Sequence, residues 1–318
     1  MYAELHCHTN FSFLDGASHP ATLAARAGEI GMPALAITDH DGLYAAVRFH
    51  REAVELGVKS IIGVEVTLGG GFHLVLLAKN SSGYSNLCRL VSHAQLAHSK
   101  GKASLDFDAL ARYSGDLFCL SGCEKGEVPA ALLAADREKA YLAARKYMEV
   151  FGRDSFWIEL QNNLRPHDRE LCAKLVGLAR ELGLGYVATN NVHYARREDH
   201  RLQDVLVCIR NRTRLDDSHH LRRPNSESYL KTADEMQKLF AACPDAVANT
   251  LRIADACNVG LDFSSYRFPD YRAPDGETAV SFLRKLCRQK MLEKYQPSDV
   301  EAEKRLGEEL ELIDRLEL

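Results

Sequence analysis

The stretch "ELHCHTNFSFLDG" at residues 4–16 decides the predicted fold, because it places His6, His8 and Asp15 close together at the start of the chain. Side chains of an extended strand alternate between its two faces, so His6 and His8 point the same way only if this backbone is extended. Two imidazoles on one face suit a metal ion. A short strand with a polar solvent face explains the same residues, so this stretch alone leaves both interpretations open.

The composition is that of a globular protein: 318 residues, 46% hydrophobic and 26% charged. This length suits one large α/β domain with an appendage, or two domains. No apolar run approaches the roughly 18 residues of a membrane span, and no secretory signal opens the chain, so we expect a cytoplasmic protein with no membrane partner. The nine cysteines are then expected to be reduced. A net charge of -4 argues against a globally basic nucleic-acid binder, although charge can be concentrated locally.

Seven short apolar runs predict buried strands. They lie at residues 2–8, 34–41, 59–68, 72–80, 115–123, 154–161 and 184–194. Helix-patterned segments separate most of them, and a glycine run between the third and fourth candidates is compatible with a hairpin. Alternating strands and helices predict a mostly parallel sheet that closes into a barrel with helices outside. An open doubly wound sheet is the alternative.

Side chains that can bind metal lie at the ends of several candidate strands. They are His6 and His8 at the first, Asp39 and His40 at the second, Glu65 at the third, Cys123 at the fifth and His193 at the seventh. His73 begins the fourth candidate, which fits a strand that runs in the opposite direction. Each residue alone has a structural explanation, such as a buried histidine or a capping aspartate. Because the carboxyl ends of barrel strands meet on one face, the set predicts a clustered metal site.

The predicted ligands also indicate a type of reaction. Imidazoles with carboxylates and one thiolate suit Zn²⁺ best, with Mn²⁺ or Fe²⁺ as alternatives, and suit Mg²⁺ poorly. The ligands exceed one tetrahedral shell, so we expect two or three divalent metals that share a bridging carboxylate. Such a centre holds a water as hydroxide and neutralises charge on a phosphoryl group, which implies phosphoester hydrolysis.

Six motifs resemble those of the polymerase and histidinol phosphatase (PHP) domain. They are "HCH" at 6–8, "LDGASHP" at 14–20, "AITDHDGLY" at 36–44, "GVE" at 63–65, "SGC" at 121–123 and "ATNNVHY" at 188–194. More narrowly, they resemble the PHP domain that opens the alpha subunit of bacterial DNA polymerase III, the C-family polymerase. Four further segments, at 93–98, 206–217, 266–279 and 306–318, are most similar to the error-prone branch of that family.

The resemblance implies a distorted seven-stranded (β/α) barrel with a trinuclear metal site. In it, His6 and His8 share one metal with Glu65, which bridges to a second metal held by His73 and Cys123, while Asp15, His40 and His193 hold the third. Asp39 would orient His40 or accept a proton, so that Asp39, His40 and Glu65 are the implied catalytic residues. Asn191 stands where the family usually has aspartate. A neutral amide is a poorer ligand than a carboxylate, so we expect weaker metal binding and attenuated activity.

The C-terminal part of the chain differs in character. We predict a PHP domain over residues 1–220 and a mainly helical extension over residues 221–318, which in longer relatives leads into the polymerase palm. The final helix stops without a cap, which suggests an N-terminal fragment. Five arginines lie near this boundary, either on a solvated face or as contacts to DNA phosphates. They are Arg210, Arg212, Arg214, Arg222 and Arg223.

Three functions stay open at this point. The first is a metal-dependent phosphoesterase, specifically a 3′ to 5′ exonuclease on a DNA primer end or single strand, working beside the remainder of the polymerase chain. The second is a catalytically silent module that braces the polymerase. The third, weaker alternative is a stand-alone phosphatase of the histidinol phosphate type. No pair of palm-type catalytic carboxylates is evident, so we do not expect this chain to synthesise DNA.

Overall fold

The computed structural model describes residues 1–261, 271–295 and 299–316. Residues 266–270 of the polymerase-like segment 266–279, and residues 317–318 of the segment 306–318, lie outside the described residues. The chain forms two compact units, Met1–Leu261 and Asp262–Leu318. The first unit extends past residue 220, since Thr250 Oγ1 accepts a hydrogen bond from the backbone N–H of Ala3 at 3.1 Å. The functional boundary at residue 220 stays a prediction.

The first unit contains a six-stranded sheet whose strands neighbour one another in chain order. The strands are β1 (Ala34–Ile37), β2 (Lys59–Thr67), β3 (His73–Ala78), β4 (Leu117–Leu120), β5 (Phe156–Gln161) and β6 (Gly185–Thr189). β3 is antiparallel to both β2 and β4, and the other pairs are parallel. The predicted hairpin is therefore confirmed, and β3 brings its first residue, His73, to the edge where β2 ends.

The seventh predicted strand, at residues 2–8, is not a regular strand. Its backbone bonds alternate between two neighbours: Glu4 O accepts from Ala36 N on one side, while His6 O accepts from Val192 N on the other, at 2.8 and 2.9 Å. Only isolated bridges result, Glu4 with Leu35 and Cys7 with Val192. The segment thus joins β1 to the chain that follows β6, and it holds His6 and His8 in extended backbone without forming a ladder.

Helices follow most strands and cover the sheet. In the first unit they are α1 (Pro20–Glu29), α2 (Ala46–Glu55), α3 (Ser81–Ala97), α4 (Phe107–Arg112), α5 (Glu127–Leu133), α6 (Arg137–Phe151), α7 (Asp168–Leu182), α8 (His200–Asn211), α9 (Ala233–Leu239) and α10 (Pro244–Ala256). Side-chain caps begin several of them, as where Asn80 accepts from Gly83 N and Thr232 forms a capping box with Glu235. The α/β class is confirmed.

The core has two apolar clusters, which explains why the strands are hydrophobic on both faces. The larger cluster includes Leu35, Val64 and Leu76 with residues of α1 to α7. The second includes Ala36, Ile61 and Leu77, which α10 covers through Ile253 and Ala254. The two layers fix the strands rigidly, so the side chains at the strand ends have defined positions.

The second unit contains two α-helices in its described residues, α11 (Ala279–Lys294) and α12 (Val300–Arg315). Among their described side chains only Leu310 is buried. The predicted helical character of these segments is confirmed. Across the described part of the chain, no helix combines the length and the hydropathy that a membrane crossing requires.

Two glycines in helices of the first unit should respond in opposite ways to alanine. A Cβ at Gly83 would lie 2.2 Å from the carbonyl oxygen of Asp116, whereas a Cβ at Gly177 meets nothing within 4 Å. We expect Gly83→Ala to lower the free energy of unfolding by about 1–3 kcal/mol through overpacking. Gly177→Ala should raise it by about 0.5–1 kcal/mol, because glycine loses more backbone entropy on folding. Urea denaturation of both variants measures these changes, and equal effects would contradict the close approach of Gly83 to the backbone of Asp116.

Candidate metal centre

The predicted ligands come from seven different parts of the first unit and meet at one place. His6 and His8 lie on the N-terminal segment, and His40 follows β1. The backbone of His40 forms a bridge with that of Glu65 in β2, which sets the two side chains next to each other. The remaining contributors are His73 at the start of β3, Cys123 after β4, and Asn191 and His193 after β6, with Asp15 in the loop before α1.

Glu65 is the centre of the cluster. Its Oε1 lies 3.4 Å from His6 Nε2 and 3.2 Å from His73 Nδ1, and its Oε2 lies 3.5 Å from His8 Nε2 and 2.9 Å from His40 Nδ1. The residue is 1% exposed. Burial opposes ionisation of Glu65, but the charges of His40 and His6 hold its pKa well below the usual range. The carboxylate is therefore ionised and shared among four imidazoles.

The hydrogen bonds behind His6 and His8 determine which ring nitrogens carry lone pairs. His6 Nδ1 donates to Glu159 Oε1 at 2.7 Å. Ser12 Oγ gives its proton to Asp39 Oδ1 at 2.6 Å, so it accepts from His8 Nδ1 at 3.2 Å. Both Nε2 atoms then have free lone pairs, and they face each other at 3.1 Å. Two lone pairs in contact repel unless a proton or a cation lies between them.

The donor set at this first position fits a divalent transition metal. Bonds of about 2.0–2.1 Å place neighbouring ligands of a tetrahedral metal about 3.3–3.4 Å apart. His6 Nε2, His8 Nε2 and the carboxylate of Glu65 are separated by 3.1 to 3.5 Å. In addition, Glu65 Oε1 is buried and has no hydrogen-bond partner among the described residues. Burial lowers the pKa of His6, but Glu159 and Glu65 raise it to about 10, so the surroundings favour positive charge here.

A second position lies on the other side of Glu65. His40, Glu65 and His73 each direct a ligand atom towards it. Cys123 Sγ lies 3.8 Å from His73 Nδ1, which is the spacing expected when one metal binds a nitrogen and a longer-bonded sulfur. Burial and the charge of Glu65 raise the pKa of the Cys123 thiol well above its usual value. A cation reverses this effect, because a coordinated thiol loses its proton.

The third predicted position is different in charge. His8, His40 and His193 converge there. Asp15 Oδ2 lies 3.2 Å from His40 Nε2 and 3.4 Å from His193 Nε2. Two arginines also reach this position: Arg210 contacts Asp15 Oδ1 at 3.3 Å, and Arg223 bonds to His193 Nε2. Burial and the charge of Arg223 lower the pKa of His193 to about 4. Positive charge is already present here.

Asn191 lies beside this third position, buried, with no partner for its side-chain oxygen among the described residues. Its φ is 47°, in the left-handed region that asparagine tolerates better than most residues. The backbone conformation is therefore one structural reason for asparagine at residue 191. The backbone carbonyl oxygen of Asn191 accepts a hydrogen bond from His193 Nδ1 at 2.8 Å.

Asp39 lies deeper than expected. Its carboxylate accepts from Thr9 N, Thr9 Oγ1 and Ser12 Oγ at 2.6 to 2.7 Å. It thus acts on His8 through Ser12, and the described bonds include none between its carboxylate and the ring of His40. Its catalytic role stays a prediction.

The five predicted DNA-contacting arginines divide into two groups. Arg210, Arg222 and Arg223 line the cleft above the metal ligands. Arg212 and Arg214 are exposed and do not line it. Two basic residues of the cleft, Lys125 and Arg165, were missed by the sequence analysis. Lys125 lies two residues after the "SGC" motif, and this position was the one available signal.

Glu159 was also missed. It is 1% exposed and lies in β5, and its carboxylate accepts hydrogen bonds from His6 Nδ1, Gln161 Nε2 and Thr189 Oγ1. An isolated carboxylate inside the apolar run "FWIELQ" was the signal that could have identified it, since a buried charge requires partners.

Comparisons with known proteins agree with this architecture. The PHP domain description matches residues 4–163. An error-prone DNA polymerase of Symbiobacterium thermophilum is 39% identical over 332 residues, which cover 99% of this chain and 30% of that protein. The chain belongs to the PHP-domain family. The DNA polymerase III subunit alpha of Treponema pallidum is 35% identical over 331 residues, which cover 99% of this PHP-domain chain and 28% of the relative.

The chain thus spans less than a third of the length of these curated relatives. Its resemblance to PHP domains of DNA polymerase III alpha subunits and error-prone polymerases is confirmed. Among solved structures, a protein of Bifidobacterium adolescentis provisionally assigned as a metal-dependent phosphoesterase is similar with a TM-score of 0.41 and 15% identity. That similarity covers 75% of this PHP-domain chain and 95% of the other.

Removing the charge of Glu159 should weaken metal binding. Glu159→Gln keeps the size of the side chain but loses the carboxylate that fixes the tautomer of His6, and such changes typically cost 10- to 100-fold in affinity. The measurement is competition with a chelator of known affinity. Glu170→Gln, at an exposed position of α7, is the matched control. Equal affinities for the two variants would show that Glu159 does not orient His6 for a metal.

Proposed function

We propose that this PHP domain is a metal-dependent phosphoesterase that trims DNA from the 3′ end. The observation that carries the proposal is the buried Glu65 carboxylate, which four imidazoles surround at the floor of a cleft with basic walls. Buried charges in such a number cost stability, and clusters of this kind are typical of functional sites. Zn²⁺ is the preferred ion for this ligand set, with Mn²⁺ or Fe²⁺ as alternatives.

The candidate ligands divide into two groups, one for each of two metal ions. His6, His8 and Glu65 would hold one ion, and Glu65, His73, His40 and Cys123 would hold the other. Bound metal ions of this kind make a water nucleophilic near neutral pH and offset charge on a phosphoryl group. Binding of the substrate and exchange of protons with it depend on side chains of the chain itself.

His40 is the histidine best placed to exchange protons with a substrate. Its side chain is 27% exposed, whereas those of His6 and His8 are fully buried. Its Nδ1 contacts Glu65 and its Nε2 contacts Asp15 in the cleft. Asp39 supports this arrangement indirectly, because the Ser12 Oγ that donates to it also accepts from the backbone N–H of His40 at 3.1 Å.

The cleft walls suit a phosphodiester. Lys125, Arg165, Arg210 and Arg222 line the cleft, and basic side chains bind phosphates without regard to sequence. Arg165 is held by Glu124 at 2.6 Å, and Arg222 by Asp204 at 3.0 Å, so their guanidinium groups are fixed in place. This supports DNA as the substrate. The remainder of a polymerase chain is the proposed partner, since the curated relatives are DNA polymerases.

Cleavage should depend on the cluster and not on exposed arginines. With Mn²⁺ or Zn²⁺ supplied, the 318-residue chain should shorten 5′-labelled single-stranded DNA and mismatched primer ends, and a chelator should stop it. His40→Ala should reduce the rate about 100-fold or more. Arg212→Ala, outside the cleft, should leave the rate within a factor of two or so. A chain that is fully metal-loaded yet leaves both substrates intact would contradict the exonuclease proposal.

The structure also supports a bracing role as a second function. His6 and His8 lie within 3.5 Å of Glu65, so an ion bound among them joins the start of the chain to β2, which is distant in sequence. Binding energy that is available only to the folded state adds to stability. Neither function excludes the other. The match to polymerases over 99% of the chain gives no support to a stand-alone phosphatase.

Metal removal should therefore lower the melting temperature. At a free metal concentration about 100 times the Kd, binding adds about 2.7 kcal/mol to the free energy of unfolding. The double variant His6→Ala/His8→Ala should lose the part of this gain that the first position supplies, while His98→Ala, at an exposed position outside the cluster, should keep all of it. Calorimetry with and without chelator measures the difference. Identical melting of loaded and stripped wild-type protein would contradict the brace.

A further inference from the structure

At the third position predicted from the family resemblance, a side chain of the protein already bonds to one of the predicted metal ligands. His193 Nδ1 lies 2.8 Å from the carbonyl oxygen of Asn191. A carbonyl only accepts, so Nδ1 carries the proton and Nε2 has the single lone pair of the ring. Arg223 bonds to that Nε2. Since a guanidinium only donates, the lone pair of His193 is already used.

We propose that the guanidinium of Arg223 takes the place of a third metal ion, so that the chain holds two divalent ions and one fixed organic cation. A metal bound to His193 Nε2 would need the same lone pair at about 2.0–2.1 Å, so metal and guanidinium exclude each other. This inference rests on the proposed metal centre, and it changes its composition from three ions to two.

The charge at this position agrees with the assignment. Asp15 is the one carboxylate that contacts His193 among the described residues, and residue 191 contributes a neutral amide. Arg210 reaches the same carboxylate at 3.3 Å. A divalent ion beside two guanidinium groups and one carboxylate would leave a large uncompensated charge. At the first position, by contrast, Glu65 and Glu159 both contact His6.

The fold holds Arg223 at this place. Ser228 O accepts a hydrogen bond from the backbone N–H of His193 at 2.8 Å, and Arg223 Nη1 donates to Ser228 Oγ at 3.4 Å. Leu230 N donates to Tyr194 O at 3.2 Å, which extends the pairing. The loop that carries Arg223 is therefore attached to the segment that carries His193, and the two side chains meet as a result of backbone pairing.

Counting metal ions per chain tests the inference without any measurement of activity. The 318-residue chain is equilibrated with Mn²⁺ or Zn²⁺ at a fixed free concentration, passed through a gel filtration column and assayed by elemental analysis. We expect two ions for the wild type. We expect three for Arg223→Met/Asn191→Asp, which removes the guanidinium and restores a carboxylate. Arg222→Met is the matched control and should stay at two, because Arg222 bonds to Asp204 and not to the cluster.

Each outcome decides the matter. Three ions in the wild type, or two in the double variant, would overturn the assignment of Arg223. Fewer than two ions in the wild type would overturn both this inference and the proposed metal centre. A wild type that holds two ions but cleaves no DNA would contradict only the exonuclease. If the double variant does not fold, as judged by circular dichroism, Arg223→Gln/Asn191→Asp replaces it, and the wild-type count alone can still refute the inference.

Discussion

The shared carboxylate of Glu65 is the constraint on which the rest of the centre depends. A single buried anion contacts four imidazoles, two through each oxygen. Such an arrangement is stable only while positive charge surrounds it, since an unpaired buried carboxylate is costly. Neighbouring groups hold the imidazoles around this carboxylate. Glu159 fixes the orientation of His6, and Ser12 fixes that of His8. The backbone bridge between His40 and Glu65 keeps the carboxylate at the edge of the sheet.

Charge also explains why the three ligand clusters are not equivalent. The first position has two carboxylates in contact with His6, those of Glu65 and Glu159, whereas the Asp15 and His193 position has one carboxylate, two guanidinium groups and a neutral amide. An arginine cannot lose its proton in a protein, so a guanidinium supplies its charge regardless of metal supply. Such a centre keeps part of its charge when metal is scarce. Asn191 is then consistent with its neighbour Arg223, since a monovalent cation needs fewer anionic partners.

The sequence predicts most positions of the candidate ligands because strand ends are easily recognised. His40, Glu65, Cys123 and His193 follow apolar runs, and the sheet brings them together as expected. The irregular pairing of residues 2–8 could not be predicted in this way. Their sequence pattern is that of a strand, but their backbone hydrogen bonds alternate between two neighbouring segments. Glu159 and Arg223 were missed as parts of the centre for another reason: their roles depend on tautomers and on loop pairing with Ser228, which no local pattern encodes.

The double attachment of the N-terminal segment has a consequence for biosynthesis. Residues 6–8 need Val192 as a backbone partner, and residues near His193 in turn pair with Ser228 and Leu230. The first ligands to leave the ribosome therefore wait until more than two hundred further residues have been translated. Contacts of such long sequence separation form late in folding. Any metal ion that these residues hold would therefore be loaded late in maturation, and a nascent chain interrupted before Ser228 lacks the residue that holds Arg223 beside His193.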